Sequence, residues 1–378
     1  MTTKLWFFEA LDTLFFRDGT PFSMGETDTR GIRSSFPPAM STLQGAVRAA
    51  LAMGQGWSPQ QRDKWPEQLG SSNNLGNIRL QGPYLVRSVD DELEFLFPFP
   101  ASVVELKNGF AHLTPDDSET PTDIKEHTRL LKNLQEEDVR GVADKWLTIK
   151  GMGKVLQGLP PEKEDSICSP DLWSFENRTG IKINRQSRTA EQGRLYFLSH
   201  VRPKAELRVA VAVTGVDADW HEAVPRCIPL GGEAKMAMVE VKDFDDFIPS
   251  VPELEIRDGK VRFTVTLLTP GHFGFLDEDR PESVEQVEIE VRKAISEGPL
   301  TGFGSCVTAC VPKLSQVGGW DVKNSRPRAL RPVVFPGSTW FYEVDSDRVD
   351  EVKALHKSFV GVGNEYGYGQ ILIGKWGC

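Results

Sequence analysis

Histidine is scarce in this chain, with six among 378 residues, and none sits in a recognised catalytic spacing. There is no Gly-x-Ser-x-Gly elbow, no His-Glu-x-x-His, no His-Asp doublet and no EF-hand loop, so the common hydrolase and metal-site signatures are missing. No apolar run is long enough to span a bilayer. The opening Met-Thr-Thr-Lys-Leu-Trp-Phe-Phe-Glu lacks a signal peptide's apolar core, so a soluble, cytoplasmic protein is expected. Five cysteines, an odd number, fit a reducing compartment. Cys306 and Cys310 form the one close pair, and on a regular strand they would point to the same face. A zinc site needs about four ligands, so buried thiols are expected, with no metal and no cofactor. Net positive charge is absent too: 44 Lys and Arg face 54 Asp and Glu, a balance of −10. Broad adhesion to nucleic acid is excluded by that sign, and any contact with a polyanion needs a local basic patch.

Turn formers are plentiful instead. The 34 glycines and 25 prolines point to a β-rich chain, and the length points to two domains. An aromatic run, Leu5 to Phe16, reads as a core strand ending in Asp-Gly and Pro turn chemistry. Phe36 to Arg48 leads into a helix that Ser41 or Thr42 can cap, with Leu43, Ala46, Val47, Ala50 and Leu51 on one face and Gly54-Gln-Gly56 as the stop. Strands are expected at 78–87, 93–97, 195–198, 207–213, 261–268, 302–310 and 331–343, with an acidic helix over 282–296 and an exposed loop over 113–128. The order is compatible with two split-βαβ units, an α+β chain of ferredoxin-like domains with β-rich insertions. The expected division is 1–172 and 173–378.

Two stretches carry the functional argument. Arg178 to Arg208 holds eight Lys or Arg against two acids, which stands out in an acidic chain. Its first part, 177–189, is rich in donors and poor in large apolars and reads as an exposed loop. One reading is a solvated loop that neutralises an acidic surface; the other is a phosphate-contacting arm or hairpin. The second stretch is Gly361-Val-Gly-Asn-Glu-Tyr-Gly-Tyr-Gly369, between a helix expected over 348–360 and a strand over 370–373. A dinucleotide fingerprint needs its glycines after a strand and before a helix, and here that order is reversed. No Gly-Lys-Ser/Thr follows, which excludes a P-loop. A plain turn, or a backbone surface for a polyanion, remains.

Several segments together resemble one family. They are Leu14-Phe-Phe-Arg-Asp-Gly-Thr-Pro-Phe22, Phe36-Pro-Pro-Ala-Met-Ser-Thr-Leu-Gln-Gly-Ala-Val-Arg48, Arg178-Thr-Gly-Ile181, Arg188-Thr-Ala-Glu-Gln-Gly-Arg-Leu-Tyr196, Leu230-Gly-Gly-Glu233 and the closing glycine loop. In this order they resemble the third subunit of the Cmr complex, the type III-B CRISPR effector, within the RAMP superfamily. The resemblance implies two RRM-like ferredoxin folds and no intrinsic catalysis. It also implies a role in antiviral defence, gripping the repeat-derived 5′ tag of the crRNA. The implied protein partners are the large polymerase-like subunit and the backbone RAMP subunits. The chain departs from the commoner family form at Lys235, where arginine is frequent; charge is kept, and a bidentate grip on phosphate is no longer available.

A single-stranded tag is held by cations, amides, hydroxyls, open backbone N–H groups and stacking aromatics. The candidate RNA contacts are therefore Arg17, Ser41, Gln44 and Arg48 near the first helix, and Arg178, Lys182, Asn184, Arg185, Arg188 and Thr189 in the basic run. To these are added Lys235, and Gly363, Asn364, Tyr366, Gly367, Tyr368 and Gly369 in the loop. The alternative is an endoribonuclease of the same superfamily that processes CRISPR repeat RNA, with His200 as its base. A third reading is a β-rich interaction protein without RNA.

Overall fold

The computed structural model describes residues 2–17, 32–72, 74–119, 129–132, 134, 138–184, 186–274, 283–321 and 326–376. The chain forms two compact units, and neither is contiguous. The first takes Met1–Glu92, Pro170–Phe244 and Val317–Leu330; the second takes Leu93–Ser169, Asp245–Gln316 and Arg331–Cys378. This differs from the expected halves at 172/173, and it assigns the basic segment and the glycine loop to different units.

In the first unit the elements are β1 (Lys4–Ala10), β2 (Ile32–Arg33), α1 (Met40–Gly54), β3 (Arg79–Val89), β4 (Trp173–Ile183), β5 (Ala190–Pro203), β6 (Leu207–Thr214), α2 (Ala218–Glu222) and β7 (Met236–Asp243). The main sheet includes the run β3-β6-β1-β7, with Cys227–Pro229 paired beyond β7, and each neighbouring pair of this run is antiparallel. Leu5, Trp6, Phe7 and Phe8 are all buried, so β1 is covered on both faces. The aromatic run does not stay one strand to Phe16. It breaks after Ala10 and resumes as single bridges, Leu14 to Val201 and Phe15 to Gly231. Helix α1 buries the expected stripe of Leu43, Ala46, Val47, Ala50 and Leu51. Its start differs: Ala39 is the N-cap, extended and without a side-chain cap bond, so neither Ser41 nor Thr42 caps it. The preceding Pro37-Pro38 pair favours an extended entry, and the helix begins two residues before a Ser41 cap would place it.

The second unit contains β8 (Lys260–Leu267), α3 (Ser283–Ser296), β9 (Ser305–Cys310), β10 (Thr339–Asp345), α4 (Val349–Ala354) and β11 (Ile371–Lys375). Its sheet runs β11-β8-β10-β9, again antiparallel throughout. Alternate residues Val261, Phe263, Val265 and Leu267 meet Trp340, Tyr342, Ile371 and Ile373 in one cluster with Val287, Val291 and Val352 of the helices. Each such side chain stabilises by about 1.5–3 kcal/mol on burial. Both units thus repeat one element order, strand–helix–strand–strand–helix–strand, with the fourth strand beside the first.

Three local expectations are revised. The pairing of β9 with β10 shifts register between Cys306 and Thr308. That bulge inverts the alternation, so Cys306 joins the helix-side cluster while Cys310 packs with Val307 and Phe341. The two thiols do not share a face. The helix expected over 348–360 ends at Ala354. Lys357 then adopts a φ of 70° and donates its N–H to Ile371 O at 2.9 Å, which turns the segment back alongside β11. The polar stretch over 113–128 begins as a strand, Pro115–Glu119, paired with Arg129–Leu131; 120–128 lie outside the described residues. Among the described residues, no helix is long and apolar enough to cross a membrane.

Candidate nucleic-acid interface

The segment 177–189, expected as an exposed loop, is strand as far as Ile183 and turn beyond it. Strands β4 and β5 pair antiparallel from Trp173–Pro203 to Ile181–Leu195, and β5 also pairs parallel with β2. The turn between them is tied by Asn184, whose Oδ1 accepts from Gln186 N at 2.9 Å and Ser187 N at 3.1 Å. Asn184 is therefore turned inward, while Arg188 and Thr189 are exposed, Arg188 with a φ of 55°. Arg185 lies outside the described residues, and Lys182 is described for its backbone only.

The base of the hairpin is held by an ion network. Arg178 Nε donates to Glu176 Oε1 at 2.8 Å and Arg178 Nη2 to Asp12 Oδ2 at 3.1 Å. Arg202 Nη2 reaches Glu176 Oε2 at 2.6 Å and Asp12 Oδ1 at 2.9 Å. The Arg178 hydrogen bond, with help from Thr13 N–H and Arg202, holds the Asp12 carboxyl well below the usual carboxylate range.

Above this base, Arg178, Thr179, Gly180, Tyr196, Leu198, His200, Glu233 and Lys235 line an open cleft of about 190 Å³. At roughly 30 Å³ per water, it takes one small group of a larger ligand. Tyr196 lies across Gly180 on the opposing strand, and a Cβ at Gly180 would stand 2.1 Å from the ring. Glycine is required there for the aromatic to lie flat against the strand. Lys235 lies 3.7 Å from Asp12 Oδ2, so the cleft balances its cations with carboxylates and is not a bare basic cluster. His200 is buried beneath it, its Nδ1 3.1 Å from Thr13 Oγ1 and its ring 5.1 Å from that of Phe15. Burial, then the charges of Lys235 and Arg178, push the imidazole pKa down, which keeps it neutral.

Among the residues expected near the first helix, Arg48 is buried and engaged with its own unit. It donates to Leu69 O at 2.8 Å, Ser71 O at 2.6 Å and Gln44 Oε1 at 3.1 Å, and it lies over Trp65. Gln44 in turn donates to Ser41 O at 3.0 Å. These three hold the start of α1 against the 69–71 segment. Arg17 is exposed, with its backbone bridged to Ser34.

The glycine loop stands in the second unit. Gly361, Gly363, Gly367 and Gly369 all have positive φ, and Asn364–Tyr366 form a single 3-10 turn. Much of its backbone is bonded inward. Val362 N donates to His272 O, Gly369 N to Pro270 O, and Thr269 Oγ1 to Gly367 O. A Cβ at Gly369 would stand 1.9 Å from Val360 O, so the strand crossing there needs glycine. Tyr368 packs edge-on to His272 at 4.3 Å between ring centroids. The N–H groups of Gly361, Gly363, Asn364 and Glu365 meet no backbone carbonyl among the described residues.

The structure brings Arg178 and Lys235 together at one cleft and sets Arg188 and Thr189 at the adjoining turn. Tyr196, Glu233 and Asp12 join them unforeseen, because only the strand register places Tyr196 opposite Gly180 and Asp12 below Arg178. Asp12 is one of two acids, with Glu9, inside the aromatic run Leu5 to Phe16, exceptions to its composition that were open to notice. Among the described residues, no cluster of His, Cys, Asp or Glu could hold a metal ion.

Chains of solved CRISPR complexes match this chain over nearly its whole length at low identity. One chain of a structure entitled "Cryo-EM structure of the Type III-B Cmr-beta bound to cognate target RNA and AMPPnP, state 1" shares 16% identity over 97% of this chain and 95% of that one, with a TM-score of 0.49. A chain of a "Crystal structure of Csm3-Csm4 subcomplex in the type III-A CRISPR-Cas interference complex" shares 11% identity over 98% of each, with a TM-score of 0.36. A search of curated protein sequences finds no match. Residues 6–376 match the model of a family described as CRISPR-associated protein (Cas_Cmr3). The chain belongs to that family.

Proposed function

We propose that this protein is a non-catalytic, guide-RNA-binding subunit of a type III-B CRISPR ribonucleoprotein, gripping the repeat-derived 5′ tag of the crRNA. It docks there with the large polymerase-like subunit and the backbone subunits. The observation that carries the reading is family membership over nearly the whole chain, residues 6–376. The repeated strand–helix–strand–strand–helix–strand order supports two ferredoxin-like folds of the RRM type. Lys235, Arg178 and Tyr196 at the cleft, with Arg188 and Thr189 at the turn, supply cations, a hydroxyl and an aromatic. Lys182 and Arg185 add charge beside them in sequence. In the second unit, the outward N–H groups of Gly363 and Asn364 and the rings of Tyr366 and Tyr368 supply the sequence-independent contacts that unpaired RNA requires.

The test is titration of the assembled complex with a synthetic RNA bearing the 5′ tag. Changing Lys235 and Arg188 to Ala weakens binding and flattens its dependence on salt by about 0.7 in log–log slope for each phosphate no longer neutralised. Undiminished affinity with an unchanged slope would overturn the assignment. The endoribonuclease reading rests on the neutral His200 beneath the cleft. Incubation with repeat RNA decides it, since a specific product that disappears in His200→Ala favours an enzyme.

A further inference from the structure

Among the described residues, the outer edge of the hairpin carries a set of backbone groups with no strand partner. Val201 exchanges both backbone bonds with Leu14, and Ser199 O accepts from Ser34 N. Those two residues of β5 therefore point away from β4, and their partners Phe175 and Asn177 are non-hydrogen-bonded positions. By the same alternation the N–H and C=O groups of Phe175, Asn177, Thr179 and Ile181 all face outward from β4. None makes a backbone bond among the described residues. The four positions span about 20 Å of strand.

Their side chains share one face, and that face is open. Phe175 is 54% exposed, Ile181 50% and the cross-strand Phe197 38%, while Glu176 and Arg178 on the other face are engaged in the ion network. Edge strands are ordinarily protected by Pro, by outward charge or by a bulge early in the strand. Trp173–Ile183 has no Pro, its outward positions carry no charge, and its register shift comes only at the far end, after Ile181.

We infer that the open edge of β4 takes up an extended segment of another protein chain as an added strand. The backbone decides the class of occupant: it offers donors and acceptors in alternation. A polypeptide strand matches both at the strand's own spacing, whereas the regularly repeated phosphates of an RNA backbone only accept, and its 2′-hydroxyl and base donors do not recur at that spacing. The uncharged outward face selects β-branched or aromatic residues at every second position of that segment. The exposed Arg188 and the basic excess of the run favour acidic residues where the segment passes the turn. Of the four outward positions Thr179 also lines the cleft, whereas Phe175, Asn177 and Ile181 do not, and none of the four is among the proposed RNA contacts.

Hydrogen exchange read to single residues tests it, comparing the isolated chain with the native complex purified from its source cells. The expected result is at least tenfold slowing on assembly at the amides of Phe175, Asn177, Thr179 and Ile181, the inward amides being slow in both. No slowing at these positions, or slowing abolished by ribonuclease, overturns the proposal. In a second arm, Ile181→Pro removes one outward donor and is tolerated by the hairpin, because that N–H does not bond β5. Retention of the neighbouring subunit falls at least tenfold in Ile181→Pro and less in Ile181→Ala, with tag-RNA affinity unchanged in both. Equal retention in the Pro variant and the parent overturns it.

Discussion

The hairpin of the first unit and the glycine loop of the second hold their shapes by different means. At the hairpin base, charge does the holding: Asp12 and Glu176 each bridge Arg178 and Arg202. In the loop the backbone does it, through bonds to Pro270, His272 and Thr269 and through glycines that no other residue replaces. A half-exposed ion network tolerates removal of a member, because solvent screens each pair. A backbone crossing with 1.9 Å between a notional Cβ and a carbonyl does not. The loop should therefore be brittle and the hairpin base forgiving.

Gly369→Ala should produce the largest effect. Strain at positive φ and overpacking together cost about 3 kcal/mol or more, read as a shift in the urea midpoint of unfolding. A loss below about 1 kcal/mol would erase the contrast.

Acid should come next, and on the loop side it acts through His272. His272, packed on Tyr368, has its pKa lowered from 6.5 to about 4 by burial and then by Arg331. The unfolded chain takes up the proton first as pH falls. Stability is thus complete above about pH 6.5, declines between 6.5 and 4, and levels off below. At about 1.36 kcal/mol per pH unit this amounts to about 3 kcal/mol. Replacing His272 with Gln should remove this share of the dependence over that window and leave the share of His112, His200, His221 and His356, whose pKa values burial also lowers.

Gly180→Ala is a smaller perturbation, about 1–2 kcal/mol, because the Tyr196 ring can move into solvent while a carbonyl cannot. Its clearer signature is a change in Tyr196 fluorescence or in tag-RNA affinity. Asp12→Ala is smallest, within about 1 kcal/mol, since the Asp12 side chain is 50% exposed and Glu176 still bridges both arginines. The lowered Asp12 pKa adds stability above the unfolded value near 3.9 that is lost only in stronger acid.

Element identity was legible where periodicity was strong: α1, β6, β8 and the acidic helix lie where their apolar spacing puts them. What was hidden depended on partners distant in sequence. The Cys306–Cys310 geometry turned on a bulge set by β10. The end of α4 turned on Lys357 bonding Ile371, which no local propensity encodes. Arg48 looked like a surface cation because helix periodicity places it off the apolar stripe; only the carbonyls of Leu69 and Ser71 show why it is buried. The first part of the basic run, 177–189, read as a loop because its large apolar residues, Ile181 and Ile183, are few and exposed, and exposed strands carry a weak alternation signal.

The interleaving of the two units has a consequence for biosynthesis. Strand β3 ends at residue 89 and its neighbour β6 begins at residue 207, with the second unit's Leu93–Ser169 and the first unit's β4 and β5 encoded between them. At roughly 5–20 residues per second of elongation, the first unit waits about 6–24 s for the strand that completes its centre. During that interval β1 and β3 emerge as unpaired apolar strands beside a growing foreign segment. Chaperone occupancy on the nascent chain should peak in this window and fall once β6 and β7 have cleared the ribosome.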